Sequence, residues 1–167
     1  PRRPGPRPVQ RYPVDLVRVV LGLTVLGLGF LVAQRGRLPV LERDVFQLVN
    51  DLPATVFPLV WVVMQLGNVV AVPTLAAVAA LPRRFRMARD LLVSGLLAYV
   101  TADLVKSVVQ RERPIGLLVA VNYPEGPVAG LGFVSGHSAV AAALATAAGP
   151  YLSRRGRRWA WALAWTV

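Results

Sequence analysis

Long apolar runs alternate with short arginine-rich segments along this chain. From Val14 to Ala33 the run is about as long as the roughly 20 residues a helix needs to cross hydrocarbon. It predicts a first transmembrane helix, with Asp15 and Arg18 near the interface. A signal peptide has a shorter core and a small-residue cleavage site. Gln34 to Asp51 is polar, with three arginines against three carboxylates. Within it, the helical spacing of apolar positions in "LERDVFQLVNDL" predicts a short amphipathic helix in a surface loop. Leu52 to Pro82 carries no charge, and with Pro53 and Pro58 early, the part from about Leu59 fits one tilted span. "RRFRMAR" closes it, and Asp90 to Val105 predicts a third span. Residues 107–134 form a loop rich in glycine, proline and apolar residues, and Ser138 to Leu152 is a short fourth span. After "SRRGRR", the run "WAWALAWTV" reads as the start of a fifth. The expected fold is therefore all-α, a polytopic transmembrane helical bundle of about four complete spans. Residues 1–13, rich in proline and arginine and without apolar periodicity, read as a disordered basic tail, leaving 14–167 as the transmembrane domain.

Composition supports a membrane solvent, because 55% hydrophobic and 16% charged residues are too apolar for an ordinary soluble domain. A net charge of +11 raises the prospect of nucleic acid. The arginines, however, sit at the ends of apolar runs rather than across a polar surface with interleaved aromatics, so nucleic acid is set aside as a partner. The positive-inside rule explains the charge and places the tail, "RRFRMAR" and "SRRGRR" on the cytoplasmic side. The near-neutral 34–51 loop and the 106–136 loop then share the outer face. The expected location is a bacterial plasma membrane with a cytoplasmic N-terminus. Cysteine is absent, so neither a disulfide framework nor a thiolate metal site is available. One histidine and eight scattered carboxylates offer no ligand spacing beyond Glu42 and Asp44, which a solvated loop explains better. No metal or other cofactor is expected.

All but one of the 19 basic residues are arginine, and the exception, Lys106, opens the segment "KSVVQRERP". On a continuing helix Lys106 and Arg113 lie two turns, about 10 Å, apart on one face. Pro114 should end the helix at Arg113, letting that side chain turn back. An ammonium and a guanidinium in a partly dry pocket clamp a phosphoryl group as point charge and bidentate fork. Taken alone, though, the pair fits interfacial cations snorkelling to headgroups better. "VSGHS" shifts the balance. Ser135 and Gly136 can present N–H groups to an anion at a helix N-terminus, and Ser135 or Ser138 can cap the helix. Capping accounts for the serines but not for His137, the sole imidazole, at a membrane mouth.

Lys106, Arg113 and Pro114, followed by Ser135, Gly136 and His137, resemble the first two signature motifs of the type-2 phosphatidic acid phosphatase superfamily, which includes lipid phosphate phosphatases and is related to vanadium haloperoxidases. The resemblance spans roughly residues 55–152. It implies metal-independent hydrolysis of a phosphate ester through a phosphohistidine, in a helical bundle with its site near the outer face. Lys106 and Arg113 would bind phosphoryl oxygens. The Ser135 hydroxyl and the Gly136 N–H would stabilise transition-state charge, and His137 would protonate the leaving oxygen. The chain departs from the family at Val134, where proline is usual, and in lacking the third motif. That motif, a serine-arginine pair followed by a histidine and an aspartate, is expected beyond Val167, because one histidine cannot be both nucleophile and acid in an in-line displacement. The last apolar run is also shorter than a span, so these 167 residues read as a fragment that binds phosphate without turnover.

Asp103, three residues before Lys106 on the same helix face, either orients the lysine or merely neutralises it. Arg111, Glu112, Asn122 and Tyr123 match no motif and read as ordinary solvated loop. The leading expectation is a lipid phosphatase for isoprenoid or glycerolipid phosphates, since "IGLLVAVNYPEGPVAGLGF" suits an amphiphile. The alternatives are a non-catalytic headgroup-binding or scaffold domain, and a plain membrane anchor that would leave Lys106 and His137 without a shared role. Partners are the lipid phosphate and the membrane, with a fused domain or a homo-oligomer left open.

Overall fold

A computed structural model describes residues 12–34, 40–113 and 130–167. The chain divides into two compact units, Pro1–Gly36 and Arg37–Val167.

In the first unit, α1 (Pro13–Ala33) covers the expected first span. Pro13 suits the first helical turn, where its missing N–H has no intrahelical partner to lose. Asp15 accepts from the Tyr12 N–H at 3.1 Å and pairs with Arg18 at 2.7 Å, which fixes the start. Val14, Leu21, Val25 and Leu28 are all exposed. An apolar helix with so little buried surface is stable in lipid rather than in water. The expected basic tail lies outside the described residues, apart from Tyr12 and Pro13.

The second unit is also helical, and strands are absent among the described residues of the whole chain. Its helices are α2 (Val40–Asn50), α3 (Phe57–Gln65), α4 (Ala71–Ala80), α5 (Phe85–Val109), α6 (Gly136–Ala148) and α7 (Arg154–Trp165). α5 packs against both α4 and α6, and α6 packs against α7. The core consists of Val72, Ala76 and Ala79 from α4, Ala88 and Leu91 from α5, and Val140, Leu144 and Ala148 from α6. Small residues dominate because they let helix backbones approach where hydrophobicity alone does not drive association. Gly95 of α5 shows how close: a Cβ there would lie 2.6 Å from a Val72 methyl. At one end of the bundle the Tyr151 hydroxyl donates to Asp90, whose other oxygen accepts from Arg89.

Three expectations are corrected. The uncharged stretch from Leu59 to Pro82 is not one tilted helix, because α3 and α4 are separated by a turn over residues 66–70. Asn68 holds that turn, its side chain accepting from the Val70 N–H at 3.1 Å and donating to Gln65 at 3.2 Å. Such a break is tolerated at membrane depth when its polar groups are satisfied within the protein. The third helix ends at Val109, not at Arg113, because Gln110 adopts a left-handed conformation (φ 47°) and its N–H closes on the Lys106 carbonyl at 2.9 Å. Pro114 itself lies outside the described residues. Finally, the third helix starts at Phe85 rather than Asp90, so part of "RRFRMAR" is its first turn, and Arg154–Arg158 likewise begins α7 behind the Ser153 cap.

Two helices, Pro13–Ala33 and Phe85–Val109, are long and apolar enough to cross a membrane, and the bent pair Val40–Asn50 with Ala54–Gln65 makes up to three. α6 has 13 residues, fewer than the roughly 20 of a full perpendicular span.

Candidate functional site

The site is built where α5 ends and α6 begins. Lys106 lies in the last turn of α5 and is half-buried. Its ammonium reaches the mouth of α6, for a Cβ on Gly136 would sit only 3.6 Å from Nζ. Ser135 is the cap of α6: its hydroxyl accepts from the Ser138 N–H at 3.3 Å and from the Ser138 hydroxyl at 3.1 Å. Gly136 and His137 are the first two residues inside the helix, both half-buried. Their N–H groups belong to the first turn, which has no intrahelical acceptor and carries the positive end of the helix dipole. A cation beside that end is electrostatically unfavourable without an anion between them. Lys106 forms no ion pair among the described residues.

Arg113 approaches by a different route. After the left-handed Gln110, the chain runs back through Arg111–Arg113 and meets the segment entering α6. Glu112 bridges Leu131 in antiparallel fashion, and the Gly132 N–H donates to the Arg111 carbonyl at 2.7 Å. Gly132 makes this neck close: a Cβ there would stand 3.3 Å from both the Arg113 Cα and the Glu112 carbonyl oxygen. Gly130 enters it at φ 119°, a conformation that side chains disfavour. Arg113 and Gly130 are thereby held near each other, and Arg113 packs on Gly132, three residues of chain before Ser135. Its Nε is buried and has no hydrogen-bond partner among the described residues. A buried guanidinium N–H left unpaired costs on the order of 1–3 kcal/mol or more, so such a group calls for a partner.

The backbone of His137 is packed against Gly67, a residue of neither motif. Gly67, in the turn between α3 and α4, lies so close to the His137 backbone that a Cβ would be 2.5 Å from the carbonyl oxygen. The dipeptide Gly67-Asn68 within an apolar run is a turn signal that marked the spot. Val167 also packs against Gly67, and the Ser138 hydroxyl donates to the Val167 carbonyl at 3.3 Å, which brings the residues following α7 to the same mouth.

The structure thus brings Lys106, Ser135, Gly136 and His137 to one helix mouth and ties Arg113 to the segment leading into it. Asp103 does not join them: it is exposed on α5 and makes no ion pair with Lys106. Arg111 is more than a solvated loop residue, since one of its guanidinium nitrogens contacts both Glu42 oxygens, at 2.9 and 2.7 Å. Glu42 is accordingly drawn away from any pairing with Asp44, which is exposed. Asn122, Tyr123 and most of the apolar loop lie outside the described residues.

Chemically, the mouth offers an ammonium, helix N-terminal amides, a hydroxyl and an imidazole, and the segment leading into it packs on Arg113, whose buried Nε has no partner among the described residues. That donor set suits a tetrahedral oxyanion. No family model, curated protein or solved structure matches the chain.

Proposed function

We propose that the chain carries the phosphate-binding and general-acid part of a lipid phosphatase similar to the type-2 phosphatidic acid phosphatases. The observation that carries this reading is the Lys106 ammonium set against Gly136 at the N-terminus of α6. The unpaired Nε of Arg113 supports it, since a phosphoryl oxygen is the partner such a group lacks. In this reading Lys106 and Arg113 hold the phosphoryl oxygens. The Ser135 hydroxyl and Gly136 N–H stabilise charge that grows on those oxygens, and His137 gives its proton to the leaving oxygen. The attacking group must approach phosphorus from the side opposite His137. With one histidine among these 167 residues, a phosphohistidine route draws its second imidazole from outside them. The substrate class is an isoprenoid or glycerolipid phosphate or diphosphate, headgroup in the mouth and tail in the bilayer.

The arrangement in the membrane belongs to the same proposal. The broken pair α3 and α4, α5, α6 and α7 pack as the membrane-embedded helices of the second unit, and α1 is a span of its own. The arginine clusters at residues 83–89 and 153–158 face the cytoplasm, and the mouth faces outward. A non-catalytic headgroup-binding domain is the second reading, favoured by the single histidine.

Phosphate release from the purified native polypeptide decides between them, assayed with chelator present on isoprenoid diphosphate, phosphatidic acid and phosphatidylglycerophosphate. Release from at least one substrate is expected. His137→Ala should lower kcat more than it raises KM, with a smaller loss for diphosphate, whose leaving group needs less protonation. Phosphate binding without release from any substrate would select the non-catalytic reading. Equal losses across leaving groups of different basicity would remove His137 from the acid role.

A further inference from the structure

Glu42 and Arg111 are 69 residues apart, are not among the matched motif residues, and form the one long-range ion pair among the described residues. Both are partly buried, with side chains 18% exposed for Arg111 and 34% for Glu42. Surface ion pairs ordinarily contribute little, but one that is partly dry and made through both carboxylate oxygens fixes geometry. What it fixes is the neck of the site loop. The Arg111 carbonyl accepts from Gly132, and Gly132 packs directly on Arg113. Arg111 therefore joins three parts: α2 through its side chain, the returning chain through its carbonyl, and Arg113 through the backbone two residues on.

The faces of α2 show how the other end of this link is held. Glu42, Phe46 and Asn50, at successive i+4 positions, are half-buried. Leu41, Val45, Leu48 and Val49 form an exposed apolar stripe, and Arg43, Asp44 and Gln47 an exposed polar one. The helix is bent 81° from the Ala54–Gln65 segment that follows. An amphipathic helix crossing the direction of an apolar one suits the membrane interface.

We propose that α2 is an interfacial brace and that the Glu42–Arg111 pair acts as a positioning device, holding the loop neck so that Arg113 presents its guanidinium to the phosphate. The role assigned to Arg113 rests on the proposed phosphatase reading; the brace itself does not. Arg111 is a positioning residue in this account and touches no substrate.

The absence of cysteine makes a direct test practicable. Spin labels at Gln47→Cys on α2 and Glu112→Cys on the neck, in the native polypeptide in phosphatidylglycerol and phosphatidylcholine nanodiscs, report their separation. Inorganic phosphate binding to the unlabelled protein is measured in parallel. A single narrow distance is expected. Glu42→Gln should broaden it and weaken phosphate binding about three- to tenfold, the exchanged pair Glu42→Arg with Arg111→Glu should restore both, and Arg111→Lys, which keeps a cation opposite Glu42, should cause a smaller loss of both. A distance distribution indifferent to Glu42→Gln overturns the brace. Broadening with unchanged phosphate affinity overturns the positioning role, and tighter phosphate binding in Glu42→Gln would instead make Arg111 a restrained clamp member. If wild-type protein binds no phosphate while the distance still depends on Glu42, the phosphatase reading fails and the brace stands.

Discussion

Gly67 shows how a residue without a functional group governs the site. It carries no chemistry, yet its missing side chain admits the His137 carbonyl to a place that a Cβ would hold at 2.5 Å. Gly67→Ala must push the α3–α4 turn and the start of α6 apart. The overpacking should cost about 1–3 kcal/mol of stability, read as a lower thermal midpoint in detergent. Because the displaced backbone is that of His137, phosphate release should fall at least about tenfold, a barrier change of about 1.4 kcal/mol. Unchanged midpoint and turnover would show that the contact does not constrain the histidine. This dependence was not legible in the sequence, since Gly67 and His137 are 70 positions apart. The motif residues were legible, because Lys106 and Gly136 are named by type and order. What the sequence could not supply was the neck geometry that joins Arg111, Gly132 and Arg113, which depends on backbone hydrogen bonds rather than side-chain identity.

At the scale of elements, apolar run length located α1 and most of α5, and helical spacing of apolar positions located α2. Run length failed between α3 and α4. Hydropathy registers whether side chains tolerate lipid and is blind to a backbone turn that satisfies its own polar groups, as Asn68 does. The close contact of α4 and α5 is a second feature invisible to hydropathy. Gly95→Ala sets two effects against each other: alanine gains about 1 kcal/mol of helix propensity, while a methyl 2.6 Å from Val72 overpacks the interface. Overpacking costs about 1–3 kcal/mol and should win. Unfolding in mixed micelles is therefore expected to show net destabilisation, and a stabilised Gly95→Ala would mean that Val72 rotates away freely.

For the whole molecule, the proposed arrangement makes the net charge of +11 a matter of sidedness. Single cysteines report it directly, since these 167 residues contain none. In intact cells, an impermeant maleimide should label Glu112→Cys and spare Arg155→Cys until the membrane is opened; the reverse pattern would invert the bundle. Sidedness fixes where a headgroup is met but not that the two motifs act together, and that is the central claim. The most direct test is the binding of inorganic phosphate to the native polypeptide in nanodiscs, compared with Lys106→Met and Arg113→Lys. If both cations hold one anion, Lys106→Met should weaken binding about tenfold or more, and Arg113→Lys should do so by a similar factor despite the retained charge, because a point charge cannot replace a planar fork. Phosphate affinity unchanged in both variants would contradict the account.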